Sequence, residues 1–196
     1  MKRVLVLLMA ALTLAGCYAS RSLLLDPKQA LSPLAVGTFP SPDDKGGAVD
    51  VSGAGNGWYR IYEVGDDKAD QVLFTAIPGQ DKIMAMAWST KENGGGYLYG
   101  LAYKADDGLV YMAGASCDDE GARRAAMAQG ATVTQQKGFS TCEFKSRAGL
   151  LAALGEYAKG WDWKTAMTKL PAAGAPAAEG SARPAVQPDN AARGDI

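Results

Sequence analysis

The clearest pattern of hydrophobic positions lies in the middle of the chain, where apolar and aromatic runs of strand length follow one another. These runs cover residues 58–64, 72–77, 82–89, 97–104 and 109–114. Glycine, asparagine, aspartate and proline fill the connections between them, and these residues favour tight turns. Asp107-Gly108 is the strongest hairpin signal, because it separates two apolar runs. Consecutive strands joined by short turns pair antiparallel by default, so the pattern predicts a β-meander of at least five strands.

Alternation along residues 97–104 predicts which side chains share a face of the sheet. Tyr97, Tyr99 and Tyr103 fall on one face, while Leu98 and Ala102 fall on the other. Both faces are therefore partly apolar, which predicts a curled sheet or a partial barrel with helices packed on one side. The three tyrosines have two interpretations: core packing beneath those helices, or an exposed binding surface that stacks on a glycan or contacts a partner protein.

Further elements flank the meander. In chain order, the pattern predicts strands over 33–39 and 49–51, a helix from the acidic residues 118–120 through 127, a hairpin of strands 132–135 and 139–144, a helix capped by Ser146 whose apolar stripe extends to Trp161, and a second helix capped by Asp162 that ends at Pro171. The apolar positions of this C-terminal helical pair recur at helical spacing, so the pair is expected to pack on the sheet. The predicted fold class is α+β.

Composition divides the chain into one domain with an extension at each end. Residues 33–170 form the predicted domain, and roughly 140 residues suffice for one hydrophobic core. Residues 17–32 are predicted to be a tether, although Leu23, Leu24 and Leu25 are apolar enough to dock on the domain. Residues 171–196 consist mainly of alanine, proline, glycine and scattered charges, so a disordered tail is expected.

The first 17 residues carry the most specific motif of the chain. Lys2 and Arg3 precede an apolar run over residues 4–14, and Leu14-Ala15-Gly16-Cys17 places two small residues directly before a cysteine. This arrangement resembles the lipobox signal peptide of Gram-negative bacterial lipoproteins. The resemblance implies that residues 1–16 are removed, that the sulfur of Cys17 carries a diacylglyceryl group, and that the new N-terminus is acylated. The alternative is an uncleaved anchor, but the run is shorter than the roughly 18 residues that a spanning helix needs.

The same resemblance implies a location. In lipoproteins, an aspartate directly after the lipidated cysteine tends to retain the protein at the inner membrane, and this chain has Tyr18 there. We therefore expect a protein held in the outer-membrane bilayer by acylated Cys17 and facing the periplasm. Each buried methylene of an acyl chain contributes about 0.8 kcal/mol, so two or three chains would anchor it durably. The resemblance covers residues 1–18 and implies no function for the domain.

The expected lipidation of Cys17 bears on the other two cysteines. If lipidation takes Cys17, then Cys117 and Cys142 remain as a pair in an oxidising compartment, and a disulfide between them is predicted. A redox-active or metal-binding thiol pair is the alternative, but it lacks a Cys-x-x-Cys spacing and additional ligands. The disulfide would tie the end of the fifth strand of the meander to the last hairpin.

Composition excludes several chemistries. The sequence contains no histidine, which removes Ser-His-Asp and Cys-His systems and zinc sites built on histidine. Loss of Lys2 and Arg3 with the leader lowers the basic count from 20 to 18 against 21 acidic residues, and the formal net charge from −1 to −3. Such a surface predicts no nucleic-acid partner. Glycine-rich residues 53–57 precede a strand and lack the lysine of a phosphate-binding loop, and no cofactor is predicted.

Acidic pairs are the remaining candidates for acid–base chemistry. They are Asp43-Asp44, Asp66-Asp67, Asp106-Asp107 and Asp118-Asp119. A glycosidase needs two carboxylates that flank one bond, whereas aspartates at turns and helix starts commonly accept hydrogen bonds from the local backbone. The chain has no Asp-x-Asp-x-Asp-Gly loop for calcium, and no metal site is predicted.

These observations favour a non-enzymatic role. The leading hypothesis is an outer-membrane lipoprotein whose domain binds an envelope protein or glycan. One alternative is a carboxylate-dependent envelope hydrolase. The other is an inhibitor of a hydrolase that acts through a protruding loop over residues 91–96.

Overall fold

The structure is a computed structural model that describes residues 17–41, 47–66, 68–89, 96–136, 138–166 and 168–174. Several predicted features lie outside the described residues: the leader over 1–16, the pair Asp43-Asp44, Asp67, residues 91–95 of the proposed inhibitory loop, and the tail from residue 175 onward.

The described residues form a 12-stranded sheet and two α-helices. The strands are β1 (Tyr18–Ser20), β2 (Ala30–Leu31), β3 (Gly37–Pro40), β4 (Ala48–Gly55), β5 (Trp58–Glu63), β6 (Asp70–Ala76), β7 (Ile83–Ser89), β8 (Tyr97–Lys104), β9 (Leu109–Gly114), β10 (Thr132–Gln136), β11 (Phe139–Glu143) and β12 (Thr168–Pro171). The helices are α1 (Glu120–Ala128) and α2 (Arg147–Ala158). Short 3-10 turns cover Pro27–Gln29 and Trp163–Thr165.

The predicted meander is confirmed, because strands β3 to β9 pair antiparallel in chain order. The hairpin between β8 and β9 turns where expected. Gly108 has a φ of 79° there, and the Asp107 carboxylate accepts a hydrogen bond from the backbone of Leu109 at 2.9 Å. Positive φ costs glycine little, which explains the residue at this turn.

The sheet curls and is not closed by its named strands. On the edge of β8 away from β7, residues 97–99 pair with β1 and residues 100–104 pair with β9. Beyond β9, the sheet continues to β12, and Leu34 just before β3 forms an isolated bridge with Ala172. The backbone of Ala35 donates to Pro171 at 2.9 Å across this junction. The α+β class with a curled antiparallel sheet is therefore confirmed.

Alternation sends side chains into two separate hydrophobic cores. On one face, fully buried residues such as Leu73, Tyr99 and Leu101 pack against α1 and α2. On the other face, inside the curl, lie Phe74 and Met86 with residues of β4, β9 and β12. The period of two along each strand produces this division, because neighbouring residues point to opposite faces.

Both helices begin as the sequence predicts. The Asp119 carboxylate accepts a hydrogen bond from the Ala122 backbone at 2.7 Å, and the Ser146 hydroxyl accepts one from Gly149 at 3.1 Å. Each cap satisfies a backbone donor that the first helical turn leaves without a partner.

The predicted second C-terminal helix is wrong. The chain forms a 3-10 turn at Trp163–Thr165, becomes extended at Ala166, and continues as β12, which pairs with β9. Leu170 and Ala172 are 1% exposed and point into the curl, so the strand period outweighs the helical spacing of the same apolar residues. The folded body extends to residue 174 and includes Pro171 and Ala172, which the sequence assigned to the tail.

The predicted tether over residues 17–32 is also wrong. Tyr18–Ser20 forms β1, which lies between β8, to which it is antiparallel, and β11, to which it is parallel. Tyr18 is 0% exposed, and Leu25 is 2% exposed. The expected docking of Leu23, Leu24 and Leu25 does occur, since Leu25 is buried in the core beneath the helices and the other two are partly buried against it.

Candidate functional site

Cys17 lies where the sheet branches, because β8 pairs with β1 along residues 97–99 and with β9 along residues 100–104. It forms an isolated antiparallel bridge with Ser116, and its carbonyl accepts a hydrogen bond from Cys142 at 3.1 Å. The next residue, Tyr18, donates from its backbone to Ala115 at 3.0 Å. No residue separates Cys17 from the body of the protein.

Tyr18 fixes the strand that follows Cys17. Its hydroxyl donates to the Ala122 carbonyl in α1, and its ring centroid lies 4.9 Å from that of Phe144 and 6.4 Å from that of Tyr157. A fully buried aromatic ring with a satisfied hydroxyl is among the most strongly held side chains in a core. The position of Cys17 is therefore set by the core.

Cys17 is half-buried. Burial raises the pKa of the Cys17 thiol above its ordinary value, and the Asp118 carboxylate raises the pKa further. Because the thiolate is the reactive form of cysteine, the folded environment makes Cys17 a weak nucleophile at neutral pH. Tyr18 points toward the helices, so alternation directs the Cys17 side chain to the opposite face of the sheet.

The predicted disulfide between Cys117 and Cys142 is confirmed. The two Cα atoms are 5.7 Å apart, and both residues are 0% exposed. Cys142 lies opposite Tyr18, and Cys117 directly follows the bridge partner of Cys17. The disulfide therefore braces the sheet immediately beside the first strand.

Two of the three tyrosines predicted as a binding surface are core residues. Tyr97 is 7% exposed and Tyr99 is 0% exposed. The Tyr99 hydroxyl is hydrogen-bonded to the Ser20 hydroxyl at 2.7 Å and accepts from the Leu24 backbone at 3.0 Å. Burial raises the pKa of Tyr99. The binding-surface interpretation is wrong for this pair, because residues 17–25 and the helices cover that part of the face.

The third tyrosine belongs to an aromatic cluster that stays half-exposed. Tyr103 stacks on Trp163 with centroids 4.6 Å apart and an interplanar angle of 20°, and Tyr111 meets Trp163 edge-on at 4.8 Å. The Lys164 ammonium lies 5.7 Å from the centroid of Trp163. The Tyr111 hydroxyl donates to the Asp107 carboxylate at 2.7 Å, which raises the pKa of Tyr111. We call Tyr103, Tyr111 and Trp163 the aromatic cluster.

Sequence reasoning missed the contribution of Trp163. It assigned this tryptophan to the core-facing stripe of a helix, whereas the 3-10 turn after Asp162 places it over β8 and β9. The pairing of Tyr103 with Tyr111 across the hairpin is the signal that could have located the cluster.

Two members of the acidic pairs accept hydrogen bonds from the local backbone: Asp107 from Leu109 at 2.9 Å and Asp119 from Ala122 at 2.7 Å. Asp118 accepts a hydrogen bond from the Ser140 backbone at 2.7 Å, and Asp106 pairs with Lys82 at 2.8 Å in an exposed contact. The contacts of Asp107 and Asp119 agree with the expected local backbone bonding, whereas Asp118 and Asp106 bond to residues distant in sequence. Within the described ranges, no group of three or more histidine, cysteine, aspartate or glutamate side chains is arranged to hold a metal ion.

No protein-family model, curated protein or solved structure matches this chain. Among the residues that the structure describes, no helix is long and apolar enough to cross a membrane. The described residues form a disulfide-bonded α+β protein in which β1 starts directly after Cys17.

Proposed function

We propose that this chain is a lipoprotein of the Gram-negative outer membrane, anchored through acylated Cys17 and facing the periplasm. The observation that carries the proposal is the agreement between motif and fold. The lipobox-like sequence ends at Cys17, and β1 begins at Tyr18. Cleavage before Cys17 would leave β1 whole, and the modified cysteine would become the first residue of the folded body.

The disulfide supports the proposed compartment. Cys117 and Cys142 are bonded to each other in the core, and stable structural disulfides are typical of oxidising compartments such as the periplasm. This pairing leaves Cys17 as the cysteine outside the disulfide, in the position that the lipobox resemblance assigns to lipid.

Metabolic labelling with palmitate tests the anchor. Cells that express the full chain should incorporate label and retain the protein in the outer-membrane fraction. Cys17→Ala should abolish the label and leave a precursor that still carries the leader. The matched control is the double variant Cys117→Ala/Cys142→Ala, which should still be labelled because its lipobox is intact. Labelling that survives Cys17→Ala would refute the proposal.

We propose further that the body has a binding role and that the aromatic cluster contacts an envelope glycan. The cluster combines aromatic surface with the Asp107 carboxylate and the Lys164 ammonium. Ring faces and edges pack on the apolar C–H surface of a sugar, and flanking charged groups fix its hydroxyls. The half-exposed state of Tyr103, Tyr111 and Trp163 is the supporting observation.

Sedimentation with purified cell-wall glycan tests this role. Trp163→Ala should reduce the bound fraction severalfold, while Tyr62→Ala, at a half-exposed tyrosine of β5 outside the cluster, should leave it unchanged. In-cell crosslinking on the same variants separates the hypotheses. Capture of one dominant protein with no glycan retention would favour a protein partner, and stoichiometric capture of a hydrolase would favour the inhibitor alternative.

A further inference from the structure

We propose that the folded body rests directly on the bilayer through the rim of the curl beside Cys17, where β1 rather than β9 pairs with β8, on the side of the sheet opposite the helices. The residues on this docking face are Ala19, Leu98 and Trp88, and its occupant is the lipid surface that the acyl groups of Cys17 enter. The inference rests on the proposed lipidation of Cys17. It adds the orientation of the body, which the lipobox does not specify.

No spacer separates Cys17 from the folded body, because β1 begins at the next residue. An extended chain spans at most about 3.3–3.6 Å per residue, so a 15-residue tether could hold a body some 50 Å from its anchor. Here the residue after Cys17 is fully buried and pairs with two strands at once. The ester groups of the attached lipid must therefore reach the bilayer interface within about one side-chain length of the sheet.

The side chain of Cys17 points to the side of the sheet away from the helices. Tyr18 points into the core beneath the helices, so Cys17 and Ala19 point to the other side. Ala19 lies opposite Leu98, and Leu98 lies opposite Trp88 on the next strand. Residues opposite one another share a face, so these side chains form one apolar row across β1, β8 and β7.

The three side chains of that row are only partly covered by the rest of the protein. Ala19, Leu98 and Trp88 are all half-buried, and neither Ala19 nor Leu98 belongs to either core. Trp88 packs at the rim of the core inside the curl. Tryptophan favours the membrane–water interface, where one end of the ring is apolar and the other is hydrated. The lipid thus leaves Cys17 beside a surface that suits the interface.

Charge is a minor contribution. Arg21, 94% exposed, pairs with Glu143 at 3.4 Å, and Glu143 lies opposite Ala19 in the row. Asp118 is the acid beside Cys17. Among the described residues, these groups give the row no excess of positive charge that would attract it to anionic headgroups, so docking should not weaken at high salt.

Spin-label accessibility tests the orientation. The lipidated full-length product is reconstituted in vesicles of phosphatidylethanolamine and phosphatidylglycerol. Since Cys17 is acylated and the other two cysteines are bonded, one added cysteine is the reactive thiol for a nitroxide. Leu98→Cys lies on the docking face, and Lys159→Cys, exposed at the end of α2, is the matched control.

The label at residue 98 should collide with oxygen in preference to a water-soluble nickel chelate, and the label at 159 should show the reverse. Collision with the chelate should be severalfold lower at 98 than at 159. Thr132→Cys, exposed on β10 opposite Glu143 in the same row, gives a second reading that removes no apolar side chain.

Equal chelate access at 98, 132 and 159 in palmitate-labelled protein would overturn the docking orientation and leave the lipoprotein proposal standing. Absence of palmitate from Cys17 would refute both. Unchanged protection at 98 in high salt would support apolar docking, and its loss would instead indicate electrostatic attachment and overturn the argument from the apolar row.

Discussion

Replacing Tyr18 by alanine distinguishes a tether from a central strand. If residues 17–32 only connected an anchor to a domain, the substitution would change the free energy of unfolding by no more than about 0.5 kcal/mol, as at most surface positions. The structure instead places the whole ring in the core, with a hydroxyl bonded to α1 and two aromatic neighbours.

The expected loss follows from that burial. Truncation of a buried aromatic side chain to alanine costs about 3–5 kcal/mol, which includes the cavity that remains. With a urea m-value of about 2 kcal/mol/M, the unfolding midpoint should fall by roughly 2 M. Tyr18→Phe keeps the ring and loses one hydrogen bond, so it should cost about 1 kcal/mol.

Urea unfolding of the chain from Cys17 onward, followed by far-UV circular dichroism and by tryptophan fluorescence, measures these differences. Arg21→Ala is the control in the same segment, because its side chain is 94% exposed and its ion pair with Glu143 is worth little. A Tyr18→Ala midpoint equal to that of Arg21→Ala would refute the assignment of residues 18–20 to the sheet.

Three further results are expected. Cys117→Ala/Cys142→Ala should lower the free energy of unfolding by roughly 3.5 kcal/mol, as loop entropy gives for a 25-residue separation, and the same urea unfolding measures this loss. Peptide mapping of the unsubstituted protein without reductant should recover Cys117 linked to Cys142. The free energy of unfolding should fall as pH rises above 10.0, the ordinary pKa of tyrosine, because the unfolded chain releases a proton that buried Tyr99 retains through its raised pKa. Tyr99→Phe should show a smaller fall between pH 9 and 11. An equal fall in the two proteins would contradict this assignment. Gly100→Ala should lower the free energy of unfolding by about 1–3 kcal/mol, because its Cβ would lie 2.1 Å from a backbone oxygen of β9. Alanine at the facing Gly114 has open space and should be tolerated. Equal thermal midpoints for the two variants would contradict the close approach.

Local patterns were sufficient to predict the meander. Strands β5 to β9 are each long enough to show alternation, and their turns carry residues such as Gly108 that fit a positive φ. Pairing between successive strands then follows from short connections alone. The caps at Asp119 and Ser146 were predictable for the same reason, since the donor and acceptor lie within three residues of each other.

Non-local pairing explains the two errors. Tyr18–Ser20 is too short to show a period, and its partners lie about 80 and 120 positions away in the sequence. Leu170 satisfies a helical stripe when read with Trp163, and a strand when read with Ala172. Pairing with β9 decides between the two, and no local signal contains that information.

The candidate site shows the same division. Cys17 was singled out from the sequence because one short motif contains the whole signal, and its lipidation stays a prediction. For the tyrosines, alternation gave the shared face correctly, but it could not say that the N-terminal segment covers Tyr97 and Tyr99 while Tyr103 remains half-exposed beside Trp163. Burial depends on what packs from elsewhere in the chain, so a periodic pattern identifies a face without identifying its cover.

The position of β1 links the proposed anchor to folding. Residues 17–20 contact segments around residues 99, 116 and 142, so this strand can complete the sheet only after most of the chain is available. Once it docks, Cys17 is half-buried and the pKa of its thiol is raised, which makes it a weak nucleophile. On the proposed lipidation of Cys17, we expect lipid transfer to precede docking of β1. The proposed lipid would then fix the edge of the body that meets the membrane, because β1 lies between β8 and β11 and cannot leave the sheet to serve as a spacer.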